Sequence, residues 1–398
     1  VAGEKKIEIK QNNPENNPII VKEPLAGNNL ILTIDYNLQK KLYDAMSRKL
    51  KLLNLRKGAA IITNPTNGEI LALVSFPSFN NNIFNAFNAG NSLSANSQDI
   101  FDDSAKPLFN RVVSGIYPPG STIKPFLAMG ILEEGLISPF KKIFAAGSIT
   151  IANEYNPSTF YTFRDWKEHG WINMIDAIAQ SSNVYFYTFG GGYGDINGLG
   201  IDKIKYYLTK FNFGSKTNID LPGETAGMIP DPQWKREVKN ENWYIGDTYN
   251  ASIGQGDVAV TPVQLVSAIS YIATKKWYTP HLIKKLIVGE QYKTIEIDEV
   301  DYNISDKNIN TAREGMRQAV VRGSARSLFD ILRPVAGKTG TAQFGSDGKY
   351  HAWFAGFAPF DNPELAIVVL IEGGGEGSFA AVPVAKEVLE WYFDDYKL

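Results

Sequence analysis

Residues 335–372 read VAGKTGTAQFGSDGKYHAWFAGFAPFDNPELAIVVLIE. Three strand-like runs, Val335 to Phe344, His351 to Phe360 and Leu365 to Glu372, follow one another with only short Gly, Asn and Pro turns between them, the pattern of an antiparallel meander. C-terminal to them, Val384, Val388, Trp391 and Tyr392 recur on one side of an amphipathic helix predicted from about Ala380 to Tyr396. At the other end of the chain, Ala59 to Asn64 and Glu69 to Pro77 flank Pro65-Thr66-Asn67-Gly68; this is a hairpin whose Asn-Gly pair favours a primed turn. Just before it, a strand at Leu30 to Ile34 precedes Leu38, Leu42, Met46 and Leu50 at helical spacing.

Between these ends, residues 78–106 read as Asn- and Ser-rich loop, and the middle of the chain is mostly helical in period. One start signal there is explicit: in Thr261-Pro262-Val263-Gln264, Thr caps, Pro takes the first helical position and Gln completes a capping box. Strands at both ends with helices between them predict an α+β fold, a single antiparallel sheet closed by distant segments and covered by helices. The first 28 residues are polar and rich in Asn and Pro, with two short alternating runs, Lys6 to Lys10 and Ile19 to Lys22. They cannot form a core alone and read as the edge of a preceding domain, which places a boundary at residues 1–29 against 30–398. The start at Val1 likewise reads as an excised piece whose anchor or signal has been removed.

Composition narrows the function. The 398 residues are 44% hydrophobic and 21% charged, enough to bury a large core. Forty Lys plus Arg against 42 Asp plus Glu give a net charge of -2, without the basic excess of a nucleic-acid binder. Zero Cys and three His exclude disulfides, thiolate sites and His-rich metal centres. The longest apolar run, Leu365 to Ile371, is far short of the roughly 20 residues of a membrane span.

Neither a Gly-x-Ser-x-Gly elbow nor a His-Glu-x-x-His motif is present, so a nucleophile here needs a base other than His. Ser121-Thr122-Ile123-Lys124, after Tyr117-Pro118-Pro119-Gly120, supplies one: a helix begun after Gly120 places Lys124 on the face of Ser121, with Pro125 harmless in its first turn and a stop at Gly135. Ser-x-x-Lys alone is weak, since Ser346 and Lys349 match it too; Ser181-Ser182-Asn183 has counterparts at Ser78-Phe79-Asn80 and Ser94-Ala95-Asn96. Lys338-Thr339-Gly340-Thr341 is unique. It falls on a strand, where alternation puts Lys338 and Gly340 on one face and Gly340 admits a ligand close to the backbone.

Only Ser121, Ser181 and Lys338 give the succession Ser-x-x-Lys, Ser-x-Asn, Lys-Thr-Gly with each motif in a suitable element. In that order the chain resembles the transpeptidase domain of the class B penicillin-binding proteins. NPTNGEILALVSFPSF (64–79), NRVVSGIYPPGSTIKPF (110–126), IGQGDVAVTPVQL (253–265) and residues 337–360 extend the resemblance over nearly everything after residue 29. The Tyr-Pro-Pro-Gly lead-in and Arg164-Asp165-Trp166 with His169-Gly170 are similar to the elongation-type branch more than to the division type.

The resemblance implies a penicillin-binding transpeptidase and serine β-lactamase-like fold, a five-stranded antiparallel sheet flanked by helices. It implies a peptidoglycan D,D-transpeptidase of cell elongation and cell shape, acylated by penicillin. Ser121 is then the acylated nucleophile and Lys124 its base, with a pKa lowered by desolvation and by Lys338. Ser181 relays protons, Asn183 binds the substrate amide, Thr339, Thr341 and Lys338 receive the terminal carboxylate, and the N–H groups of Ser121 and Thr341 form an oxyanion hole. Tyr117, Trp166 and Trp353 are candidates for the cleft wall, and Asp257 sits in a glycine-bounded loop near it.

The implied partners are peptidoglycan stem peptides, β-lactams, a membrane glycosyltransferase and a shape-determining scaffold protein, with an N-terminal span absent here and the domain on the periplasmic side of the inner membrane. No cofactor is implied. Some elongation-type relatives hold a zinc near the Ser-x-Asn loop; Asp165 and His169 are present but Cys is not, so no metal is expected and His169 reads as a surface or loop residue. A serine β-lactamase and a penicillin-sensing receptor domain remain the rival readings.

Overall fold

The computed structural model describes residues 4–8, 19–82, 100–153, 156–345 and 348–396, with side chains from residue 26 onward. Ser94-Ala95-Asn96, Ser346, and most of the Asn- and Ser-rich loop lie outside the described residues, as does part of the Lys6 to Lys10 run. In chain order, β1 (Glu4–Glu8), β2 (Ile19–Leu25), β3 (Asn29–Leu32), α1 (Tyr36–Leu52), β4 (Gly58–Thr63) and β5 (Ile70–Phe76) lead to a 3₁₀ turn (Gly120–Ile123) that runs into α2 (Lys124–Glu133). Then come β6 (Ile143–Ala145), β7 (Ser148–Ala152), β8 (Phe160–Arg164), β9 (Gly170–Ile172), α3 (Met174–Gln180), α4 (Asn183–Gly191), α5 (Gly200–Lys210), α6 (Ile245–Ser252) and α7 (Pro262–Thr274). β10 (Trp277–Tyr278), β11 (Ile283–Val288), β12 (Gln291–Thr294), β13 (Glu299–Val300), α8 (Asp306–Arg322), β14 (Ala336–Phe344), β15 (Lys349–Ala358), β16 (Leu365–Ile371) and α9 (Gly377–Glu390) complete it.

The central sheet has the order β14-β15-β16-β4-β5, every pair antiparallel. The C-terminal meander thus meets the N-terminal hairpin at β16 and β4, as the sequence predicts. Every residue of β4 and β16 is buried, so neither strand alternates in hydropathy: each feeds two cores. Ala59, Ile61, Ala366, Val368 and Leu370 point into one core with α2 and α7. Ala60, Ile62, Leu365, Ile367, Val369 and Ile371 point into the other, against α1 and α9. The result is three layers, helix on sheet on helix, with β14 as an edge strand.

Local signals act as expected in two helices. Asp35 accepts from the N–H groups of Asn37 and Leu38 to start α1, and Thr261 and Gln264 form the reciprocal capping box of α7. The hairpin turn differs from the primed geometry: only Gly68 has positive φ, +78°, and a four-residue connection carries Gly68 N–H to the Asn64 carbonyl, since Asn64 and Asn67 side chains already satisfy local backbone donors. α9 starts at Gly377, three residues before its predicted start, because that glycine packs against the carbonyls of Trp353 and Gly340. The middle of the chain also holds two small ladders, β6–β9 and β7–β8, that the mostly helical reading misses. β1 and β2 pair with each other, while β3 joins β11 and β12 in a separate three-stranded sheet. No helix among the described residues is long and apolar enough to cross a membrane.

Candidate active site

Four consecutive residues before Ser121 are each fixed by a different element. The Tyr117 hydroxyl donates to Glu372 Oε1 (2.9 Å), at the end of β16, where Arg111 Nε also binds (2.8 Å). The Pro118 carbonyl accepts from Trp353 Nε1 at 3.0 Å, Pro119 packs on Gly340, and Gly120 N–H donates to the Gly254 carbonyl at 2.9 Å. Gly120 has φ +53°, the left-handed conformation glycine adopts without penalty. Ser121 therefore enters its 3₁₀ turn on a rigid support. Its Oγ makes no hydrogen bond among the described residues and opens into a cleft of about 550 Å³.

Lys124 follows one turn later as the first residue of α2, with a fully enclosed side chain. Its Nζ donates to Asn183 Oδ1 (2.7 Å) and the Ser181 carbonyl (2.9 Å), with Ser181 Oγ at 3.5 Å. Burial pushes its pKa down to about 7, against an opposing pull from Asp165. Lys338 is also fully buried and donates to Ser181 Oγ at 2.8 Å. Its pKa is lowered as well, first by burial and then by the charge of Lys124. Ser181 is thus the shared partner of two ammonium groups whose mutual repulsion favours losing a proton. It sits between α3 and α4 with φ +62°, a left-handed conformation that costs a non-glycine residue about 1–2 kcal/mol and that turns both its hydroxyl and its carbonyl toward the lysines.

The remaining predicted residues divide by position. Asn183, Thr339 and Thr341 line the cleft beside Ser121 and Ser181, while the lysines lie beneath it. Gly340 does not face a ligand. A Cβ there would stand 2.8 Å from the Pro119 carbonyl and 2.9 Å from Thr122 Cγ2, so the glycine lets the turn that carries Ser121 lie against β14. Of the aromatic candidates, Trp166 lines the cleft, whereas Tyr117 and Trp353 are buried supports. Asp257 pairs with Lys239 at 2.6 Å and lies outside the cleft; the function of its loop falls to Gly254.

The histidines supply no base. Burial pushes His351, stacked on Phe344, down to about 4, and His281 contacts the Thr279 carbonyl. His169 lies in the loop between β8 and β9 but is not at the surface: its ring is completely enclosed, with Nδ1 3.3 Å from Gln180 Oε1 and Nε2 3.4 Å from Asp165 Oδ2. Asp165 Oδ2 accepts from Ser182 Oγ (2.8 Å) and Val184 N–H (2.9 Å), and Oδ1 from Trp166 N–H. Burial pushes this carboxyl up, but His169, the Lys124 charge and the backbone donors outweigh it and hold it at about 2. Among the described residues no cluster of three or more His, Cys, Asp or Glu could hold a metal. Asp165 with both oxygens engaged, and His169 with Gln180 as neighbour, do not fit a zinc centre.

Three further residues support the site in roles that the sequence did not assign them. Asp165 ties the loop after Ser181 to β8, Ser324 Oγ meets Thr339 Oγ1 at 2.6 Å, and Gln255 Nε2 reaches the Thr341 carbonyl at 3.3 Å.

Comparison with known proteins agrees with this geometry. The family model for the penicillin binding protein transpeptidase domain matches residues 58–390. The chain belongs to this family. Within the penicillin-binding transpeptidases, it is 36% identical to the peptidoglycan D,D-transpeptidase MrdA of Acinetobacter baumannii, over 93% of this chain and 55% of that protein. It spans about half the length of the curated relatives it matches. Among solved structures, Pseudomonas aeruginosa PBP2 in complex with WCK 5153 superposes with a TM-score of 0.80 at 33% identity, covering 94% of this chain and 80% of the other. Helicobacter pylori PBP2 in its complex with MreC gives 0.78 at 32% identity, covering 99% and 69%. The five-stranded α+β fold of the penicillin-binding transpeptidases is therefore the fold of this chain.

Proposed function

We propose that the chain is the catalytic domain of an elongation-type peptidoglycan D,D-transpeptidase. The observation that carries this reading is the meeting of three sequence-distant motifs in one cleft, with Lys124 and Lys338 buried on either side of Ser181. Neutral Lys124 takes the Ser121 proton as Oγ attacks the carbonyl of the penultimate D-Ala. The tetrahedral oxyanion is held by the N–H groups of Ser121 and Thr341, donors worth roughly 3–4 kcal/mol each. Collapse breaks the peptide bond and forms the Ser121 ester. The proton passes through Ser181 to the departing D-Ala amine, and an amine of a second stem peptide then attacks the ester and restores Ser121.

Asn183 fits the substrate's backbone amide. Thr339 and Thr341 hydroxyls with the Lys338 charge fit its terminal carboxylate, and the outer edge of β14 suits an extended peptide. A β-lactam presents the same acyl carbon to Ser121. Residues 1–29 belong, in this reading, to the edge of a preceding domain; the separate β1–β2 pairing supports it. The domain works on the periplasmic side of the inner membrane beside a membrane glycosyltransferase and a shape-determining scaffold protein, the last supported by the H. pylori PBP2 complex with MreC.

The test is D-Ala release and cross-linked dimer formation from stem peptides ending in D-Ala-D-Ala. Wild-type protein should give both and Ser121→Ala neither. Product from Ser121→Ala contradicts the reading, and rapid β-lactam hydrolysis in place of cross-linking favours a β-lactamase.

A further inference from the structure

A cavity of about 880 Å³, larger than the cleft of about 550 Å³ at Ser121, lies apart from it. It lies between the β7–β8 hairpin and residues 232–246, and nothing in the proposed reaction uses it. Tyr161, Phe163, Trp243 and Tyr244 present rings to it, joined by Arg236 and Asn242. Tyr161 and Tyr244 are each 50% exposed. The side chains of Arg236 and Asn242 have no hydrogen-bond or ion-pair partner among the described residues. Rings exposed to water beside polar groups that no protein group occupies are a poor core and a good binding surface.

The lining narrows the ligand. Arg236 is its only cationic residue, too few for a phosphorylated cofactor, and the amide and guanidinium groups disfavour a wholly apolar ligand. A sugar ring matches: its C–H faces stack on aromatic planes, and its hydroxyl and acetamido groups suit Asn and Arg.

Position narrows it further. Ile151 and its cross-strand partner Tyr161, with Phe163, line this cavity from the hairpin, while Arg164, the next residue after Phe163, lines the catalytic cleft. α6 begins at the cavity with Ile245 and ends at Ser252, next to Ile253 in the catalytic cleft. Eight helical residues span about 12 Å, and three extended peptide residues about 10 Å. The two lengths are comparable, so a sugar attached to a stem peptide at Ser121 comes within range of the aromatic cavity.

We propose that this second cleft binds the N-acetylated amino sugar of the glycan strand bearing a reacting stem peptide, stacking it on Tyr161 and Tyr244 while Arg236 meets a carboxylate of the peptide. The assignment rests on the transpeptidase reading. Donor and acceptor strands share this chemistry, so the test has two arms. In the donor arm, D-Ala release is measured from a disaccharide pentapeptide and from the same peptide without sugar. In the acceptor arm, a short D-Ala-D-Ala donor is offered either a sugar-bearing or a bare acceptor peptide.

Wild-type protein should show a KM lower by about fivefold or more for the sugar-bearing form in at least one arm, the size a stacked ring and an ion pair supply. Arg236→Ala with Tyr244→Ala should bring the ratio near one at an unchanged rate of penicillin acylation. Arg236→Glu, at an exposed side chain, checks the result without disturbing packing. Equal use of both forms by wild-type protein in both arms overturns the proposal, as does discrimination that survives the substitutions. Failure of penicillin to acylate wild-type protein counts instead against the underlying reaction.

Discussion

Replacing Lys124 with Met tests the electrostatics beneath the cleft. Met approximates the lysine stem in volume and removes only the ammonium. Burial lowers the Lys124 pKa from 10.5 to about 7, a differential interaction of about 5 kcal/mol at about 1.4 kcal/mol per pH unit. Below about pH 7 both folded and unfolded chains hold the proton and the folded state bears this whole cost. Between about pH 7 and 10.5 the unfolded chain holds more protons, so stability rises with pH. From pH 7 to 9.5 the gain is about 3 kcal/mol. Lys338 shifts in the same direction, first by burial and then by the Lys124 charge, so the variant keeps only the part of the Lys338 slope that burial supplies and loses that of Lys124. Met also orphans Asn183 Oδ1 and the Ser181 carbonyl, at about 1–3 kcal/mol each, which offsets much of the gain at low pH.

The pH dependence is therefore the diagnostic quantity. Urea unfolding at pH 7 and 9.5 should show the wild-type stability rising by about 3 kcal/mol more than that of Lys124→Met. Penicillin acylation by wild-type protein should rise through about pH 7, an inflection belonging to the coupled lysine pair, and fall roughly 10²–10⁴-fold in the variant. Equal pH slopes for the two proteins, or an acylation rate flat from pH 5.5 to 9, refute the reasoning.

Three further substitutions probe the supports. Asp165→Ala strips acceptors from Ser182 and Val184 and should destabilise by about 1–3 kcal/mol while slowing acylation, as denaturation and stopped-flow measurements will report. Glu372→Ala leaves the buried Arg111 charge uncompensated and should cost about 3–5 kcal/mol in chemical unfolding, with Arg111→Met/Glu372→Leu recovering most of it. Gly254→Ala places a Cβ 2.3 Å from the Gly120 carbonyl at φ +73°, so it should both lower Tm and reduce acylation by displacing Ser121.

The sheet was legible because its strands are extreme cases. β16 is seven buried residues in a row, and the Asn64 to Gly68 turn interrupts β4 and β5 unmistakably. α1 and α7 carry explicit caps. β7 and β8 escaped because they are five residues each, β8 is mostly exposed, and only Ile149, Ile151 and Phe163 pack on the core, too few to show a period of two. The residues proposed as catalytic were legible as motifs in order, but their energetics were not: nothing in Lys124 or Lys338 as letters says that both are fully buried. Gly340 was read for the close approach it does allow, but with the wrong neighbour, a ligand instead of Pro119 and Thr122. Asp165 was weighed as a metal ligand when its neighbours make it a hydrogen-bond anchor, a role defined by Ser182 and Val184 only once α4 folds against β8.

Acylation of Ser121 is the centre of this account, and intact mass after incubation with benzylpenicillin measures it directly. Wild-type protein should gain the mass of one penicillin, on the peptide containing Ser121, and retain it for hours, whereas Ser121→Ala should gain nothing. An adduct on Ser121→Ala, or none on wild-type protein, contradicts the account.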